Sequence, residues 1–196
     1  MISRRIAQMA ISIALVTIVG GCATNPSRFY TLESTATPGA GPALPISVLV
    51  GPVAIPASVD QPQFVVQVAP NRVDVDEFNR WAAPLSDSIA RALAGDLSTQ
   101  LGTPNVAIAP MANFQPTYRV TVDVQRFESI QGQSAIVDAV WTVRKTSDGE
   151  TRSGRTFAQE TVQDGSFEAL AAAHSRAIAK MSDDIAASIR SEAAPS

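Results

Sequence analysis

The stretch from Tyr118 to Val162 constrains the fold more than any other part of the chain. Tyr118, Val120, Val122 and Val124 alternate with Arg119, Thr121, Asp123 and Gln125, in a run reaching Phe127. Ser134–Lys145 repeats the pattern, with Ala135, Val137, Ala139, Trp141 and Val143 on one side. Successive side chains of a strand point to opposite faces, so this period of two fits a half-buried sheet and not a helix. Asp148-Gly149 favours positive φ and a tight turn, and Thr151–Val162 completes a three-strand antiparallel meander. A sheet with one apolar face must be covered. Leu85, Ile89, Leu93, Leu97 and Leu101 recur at four-residue spacing, with Ala92 beside them, until Gly102 ends the run. Leu170, His174, Ile178, Met181, Ile185 and Ile189 form a second helical stripe. Pro84 fits the first turn of the first helix. Ser166 suits the N-cap of the second, with Glu168 and Arg190 placed as the helix dipole prefers. The expected fold class is α+β, a two-layer domain with a mostly antiparallel sheet and two helices on one face.

Upstream, Ile46–Ile55 reads as a buried strand with Gly51-Pro52 marking a bulge or an edge position. Phe64–Val68 is the next strand, Asn71–Val75 a short third one, and Val106–Ala109 another. Ser34–Pro45, STATPGAGPALP, reads as an extended, exposed linker. With 196 residues the chain is one domain with attachments. The expected divisions are a signal peptide over 1–21, then a lipidated N-terminus, short β-type run and linker over 22–45. The α+β domain follows over 46–190, and a disordered tail over 191–196.

The N-terminus decides the compartment. Arg4 and Arg5 precede a mostly apolar run from Ile6 to Val19, too short for a comfortable membrane span and typical of a secretory signal. Val19-Gly20-Gly21-Cys22 follows and resembles the bacterial lipobox, in which the cysteine receives the lipid. Cys22 is the only cysteine of the chain and is the expected lipidation site. More than one acyl chain is needed for stable anchoring, as such maturation supplies. The next residue is Ala23 rather than Asp, which favours the outer membrane, with the domain facing the periplasm. Ala23–Ser27 form the tether, and five residues reach at most about 18 Å.

Little in the chain suggests catalysis. One Cys and one His exclude a disulfide framework, a multi-cysteine metal site and a His-rich centre. A formal charge of −3 gives no basic face for nucleic acid, so none is expected as a partner. No G-x-S-x-G, Gly-rich phosphate loop or H-E-x-x-H occurs. His174 lies on an apolar stripe and reads as a core-edge residue, with Ser175 turned about 100° away on the helix. Asp74-Val75-Asp76-Glu77 lacks the Gly and terminal Glu of a calcium loop and reads as a solvated turn. The expectation is a binding or scaffold protein rather than an enzyme, with no catalytic residue, no metal and no cofactor. Asn79, Arg80, Trp81 and Pro84 form the most individual stretch and are the candidate partner contacts. Trp81 reads either as a hydrophobic staple on the first helical turn or as an exposed aromatic hot spot beside Arg80.

Several elements together resemble the PqiC family, the ABC-type transport auxiliary lipoproteins. They are the lipobox, Phe29-Tyr30-Thr31-Leu32, Val50-Gly51-Pro52-Val53-Ala54-Ile55-Pro56 and Val59-Asp60-Gln61-Pro62-Gln63-Phe64-Val65-Val66. Asn79-Arg80-Trp81-Ala82-Ala83-Pro84-Leu85 and Ser166-Phe167-Glu168-Ala169-Leu170 complete the set. Gln61 departs from the arginine expected before that proline. The resemblance implies an outer-membrane-anchored adapter of an MCE-type ABC intermembrane lipid transport system, contributing to envelope integrity. Its partners would be a periplasmic MCE-domain protein and its ABC transporter, and a homo-oligomer would match a ring-shaped partner with avidity. The alternative is an outer-membrane lipoprotein that regulates a peptidoglycan synthase or another envelope assembly. Because Cys22 is the sole acyl acceptor of its type, Cys22→Ser should abolish metabolic fatty-acid labelling and release the chain from the membrane fraction. A labelled, membrane-bound Cys22→Ser protein would contradict the lipobox.

Overall fold

A computed structural model describes residues 25–193, so the signal peptide and Cys22 lie outside the described residues. The meander is present as β6 (Tyr118–Ile130), β7 (Ser134–Lys145) and β8 (Thr151–Thr161). β6 pairs antiparallel with β7, and β7 with β8, along almost their whole lengths. The alternation of β6 changes phase once. A register shift between Val124 and Arg126 leaves Gln125 and Arg126 both exposed and returns Phe127 to the buried face.

The other five strands build on the free edge of β6. They are β1 (Arg28–Tyr30), β2 (Val48–Ala54), β3 (Gln63–Ala69), β4 (Arg72–Trp81) and β5 (Val106–Ile108). β2 runs parallel to the first half of β6 and to β5, with a register shift between Val50 and Val53 where Gly51 takes φ +112°. Glycine alone adopts such a φ freely. β3 meets the far end of β6 in parallel, pairs antiparallel with β4, and β4 carries β1 in parallel at the sheet edge. The sheet is thus a mixed one of eight strands, in which short parallel pairings join the longer antiparallel ones expected. The reason is connectivity. Helix α1 (Leu85–Leu101) lies between the β3–β4 hairpin and β5, and a helical crossover returns the chain parallel to β2. Sequence periodicity marks strands and does not reveal their direction.

Helix α1 and helix α2 (Phe167–Ala193) pack on each other and on the sheet. Leu93, Leu97, Leu101, Ile178, Met181, Ile185 and Ile189 are fully buried against Val120, Val137, Ala139 and Val143. Gly102 closes α1 in the left-handed region at φ 66°, and the Ser166 hydroxyl caps α2 by accepting from the Ala169 N–H at 3.1 Å. α2 extends through Ser191–Ala193, into the tail expected to be disordered. Arg152 of β8 holds that end, donating to Ser191 at 3.1 Å and pairing with Glu192 at 3.0 Å.

The domain also begins earlier than Ile46. β1 is part of the sheet, Tyr30 and Leu32 are in the core, and residues 33–44 run as a strap over the helices. Asp96, on α1 and without exposed surface, is the fastening. Its Oδ1 accepts from the Ser34 hydroxyl at 2.7 Å and from the N–H groups of Thr35 and Ala36 at 2.8 and 2.9 Å. Gly95 makes room, since a Cβ there would lie 2.8 Å from the Ser34 Cβ. A mid-helix glycine costs about 1 kcal/mol against alanine, so the close approach is its structural reason. Arg190 ties the far end, donating to the Pro42 carbonyl at 2.9 Å and the Gln100 carbonyl at 2.7 Å. An exposed composition does not reveal such a strap, because most of its ties are backbone groups.

Asp96→Ala should cost about 2 kcal/mol through the lost hydrogen bonds. It should also open residues 33–44 to protease while the helices stay protected. Gly95→Ala, which helix propensity alone would favour, is expected to act in the same direction. Limited proteolysis with thermal melting reads both effects, and an unchanged strap in both variants would contradict the fastening.

Candidate functional site

The residues singled out by sequence meet at one corner of the sheet. β4 is longer than the expected Asn71–Val75 and continues to Trp81, so Asn79-Arg80-Trp81 closes a strand rather than introducing a helix. The indole stacks on Phe64 of β3, with centroids 4.0 Å apart, and meets Phe127 edge-on at 6.0 Å. Tyr30 of β1 and Phe167 of α2 pack edge-on against Phe64 at 5.4 and 5.2 Å respectively, in one cluster linking both layers. Trp81 is buried and packs among core aromatics.

His174 belongs to the same cluster. It stacks on Phe127 with centroids 3.8 Å apart, shares a 2.9 Å hydrogen bond between Nε2 and the Ser129 hydroxyl, and has no exposed surface. Burial pushes its pKa from the usual 6.5 down to about 3. It is therefore neutral in the folded protein, held among aromatic rings without a carboxylate to orient it as a base.

Asn79 and Arg80 are set by a bulge. Between the pairs Gln63–Arg80 and Val65–Val75 the register of β4 shifts. Asp76 organises the extra residues by accepting from the N–H groups of Phe78 and Asn79, at 2.9 and 2.7 Å, and from the Asn79 amide at 3.0 Å. Burial opposes the Asp76 charge, but these donors outweigh it and hold the carboxyl below the usual range. Asn79 in turn accepts from the Tyr30 hydroxyl at 2.7 Å. Arg80 is half-buried, donating from Nε to the Glu77 carbonyl at 3.0 Å, with a Glu77 carboxylate oxygen 4.0 Å from its terminal nitrogen. Pro84 stands exposed at the N-cap of α1, and its carbonyl accepts from the Ser88 N–H at 3.0 Å. Of the four candidates, Arg80 and Pro84 reach the surface, while Asn79 and Trp81 hold the corner together. Asp76 and Asp96 were not singled out for these roles by sequence reading. An acid among apolar residues was the available signal at Asp96.

Among the described residues no group of His, Cys, Asp and Glu could hold a metal ion, and no helix is long and apolar enough to cross a membrane. The chain belongs to the ABC-type transport auxiliary lipoprotein component family, whose profile matches residues 30–186, from β1 into α2. It thus has an accessory role in a transport system. Two solved structures share the fold. One is protein XCC0632 from Xanthomonas campestris, of the DUF330 family, with 21% identity, a TM-score of 0.67, and 84% of this chain and 99% of that one covered. The other, an uncharacterized protein, has 20% identity, a TM-score of 0.68 and the same coverage. No curated protein matches the sequence.

The histidine generates a pH prediction. Its native pKa lies below the unfolded value, so the unfolded chain binds the extra proton and stability falls as pH drops from about 6.5 towards 3. The slope from one such group approaches about 1.4 kcal/mol per pH unit. The chain has no other histidine. The difference between wild type and His174→Gln, followed by denaturant melts from pH 7 to 4.5, should therefore show this slope. Parallel stability curves would contradict a buried neutral imidazole.

Proposed function

We propose that this lipoprotein is the outer-membrane-anchored adapter of an MCE-type ABC system that moves lipid between membranes, and that it thereby supports envelope integrity. The observation that carries the reading is the family match over residues 30–186, from the end of β1 into α2, joined to a lipobox cysteine only six residues before β1. The anchor supplies location, and the α+β domain supplies surface for a periplasmic MCE-domain protein.

Within this reading Arg80, with Pro84 nearby in sequence, is the contact side of the corner, and Trp81 acts by holding β4 in place. A homo-oligomer would present Arg80 repeatedly to a ring-shaped partner. Arg80→Glu reverses a half-buried charge at the surface and should largely spare the fold, while weakening capture of the MCE protein by about tenfold or more. Trp81→Ala should instead lose about 3–5 kcal/mol of stability and fail in capture through unfolding. Co-purification of the mature lipoprotein in detergent, with light scattering for its mass, tests both. Normal capture by well-folded Arg80→Glu would remove this residue from the interface, and failure of the wild type to bind any MCE protein would overturn the adapter reading.

A further inference from the structure

Five of the eight large apolar residues exposed among the described residues lie on one wing of the sheet: Phe29, Val68, Val73, Val75 and Phe78. The wing consists of β1 and the β3–β4 hairpin, closed by the two-residue turn Pro70-Asn71 with Asn71 at φ 64°. Cross-strand register sorts its two faces. Val65 opposes Val75 and Gln67 opposes Val73 on the outer face, while Val66 opposes Asp74 on the face that turns towards the core. Phe29 and Gln63 flank Arg80 on that outer face. The outer row therefore holds Phe29, Val65, Val73 and Val75 with Gln63, Gln67 and Arg80, whose guanidinium lies 4.0 Å from the Glu77 carboxylate. Exposed apolar surface gathered in this way marks a contact.

The chain itself indicates what the contact is. β1 runs parallel to β4, so the segment preceding Arg28 leaves the sheet towards the end from which the hairpin projects. From Cys22 to Arg28 is six residues, an extended reach of about 20 Å. From Asn79 back to Arg72 β4 spans seven residues, at most about 23 Å at strand rise. A segment extended from Arg28 back to Cys22 is thus long enough to reach the level of the hairpin tip, on the side towards which β1 points. We infer that the outer face of this wing, Phe29, Val73 and Val75 above all, rests in the lipid surface that holds the anchor, and so fixes the angle of the domain on the membrane. The inference rests on acylation at Cys22 and not on the identity of the transport partner.

The test uses the mature lipidated chain in vesicles of phosphatidylethanolamine and phosphatidylglycerol. With Cys22 acylated, Phe29→Cys, Val73→Cys and Phe157→Cys each introduce one free thiol for a bimane label. Phe157 is 56% exposed on β8, at the opposite edge of the sheet, and serves as the distant control. Brominated lipid should quench the labels at 29 and 73 several-fold more strongly than the label at 157. Adding Phe29→Ser and Val75→Ser should reduce quenching at 73 while leaving fatty-acid labelling and vesicle binding intact. Equal quenching at all three positions, or none at 29 and 73, would overturn the inference. So would protection of the label at 73 from aqueous iodide that rises with protein density without lipid quenching, since a second copy would then be the cover. The readout needs no transport partner, so its failure would leave the adapter reading standing.

Discussion

A carboxylate with no exposed surface, Asp96, sits in the leucine stripe of α1, and the N-terminal segment closes over it. Burying a carboxylate is costly unless donors replace water, and three donors from Ser34, Thr35 and Ala36 converge on one oxygen. Its second oxygen has no partner, and burial outweighs the donors to raise its pKa. The strap therefore shields a group that would otherwise be left without partners at the surface of the helix pair. Nearby polar residues extend the same seam, with the Ser182 hydroxyl donating to Gln100 at 2.8 Å between the two helices. The consequence is mechanical. The N-terminal segment joins the domain twice, through β1 in the sheet and through Asp96 on the helices, so a pull on the residues before β1 reaches both layers at once.

The aromatic corner answers a different need. β1 is three residues long and pairs with one neighbour, which by itself gives an edge strand little hold. Tyr30 remedies this by packing on Phe64 and donating to Asn79, while Trp81 and Phe127 continue the cluster inwards to His174. A neutral imidazole stacked flat on Phe127 fills this space as an aromatic ring would, while satisfying the Ser129 hydroxyl. The sequence element that looks most individual is thus mostly interior. Its surface share passes to Arg80, whose guanidinium is turned out by the bulge that Asp76 organises.

Periodicity made the helices, the meander and their apolar faces legible, because burial of one face imposes a repeat on the sequence. Gly102, Ser166 and Gly51 were legible as punctuation, since each meets a local backbone demand that few residues meet. Strand direction was not, because parallel and antiparallel strands carry similar alternation when one face is covered. Nor was the strap. Its residues hold the domain mostly by main-chain groups, which every sequence possesses, so STATPGAGPALP reads as a linker although Asp96 and Arg190 fasten it. Asn79-Arg80-Trp81 could be located from sequence but not assigned, since burial or exposure of Trp81 depended on where β4 ended. Cys22 is legible from the order of residues around it and lies outside the described structure.

The two outer edges of the sheet are built for opposite circumstances. β8 is eleven residues long and pairs only with β7, the kind of edge that invites unwanted strand pairing. It is correspondingly charged. Arg155 makes two hydrogen bonds to Asp138 of β7, at 2.8 and 2.6 Å, and holds that carboxyl below its usual range. Glu160 is paired by Arg176 and Lys180 of α2, and Arg152 by Glu192. These ions keep the long edge wet and specific. The β1 edge has little such charge on its outer face and instead is kept short, carrying Phe29 outward and Tyr30 inward. An apolar edge is a liability for a freely diffusing domain, yet a chain tethered beside it is always near one particular surface. Shortness limits the backbone exposed for pairing, and the adjoining hairpin keeps Val65, Val73 and Val75 on the face away from Asp74. On the proposed anchoring at Cys22, the distribution of charge across the sheet follows the position of the tether, and the charged edge is the one farther from the N-terminus.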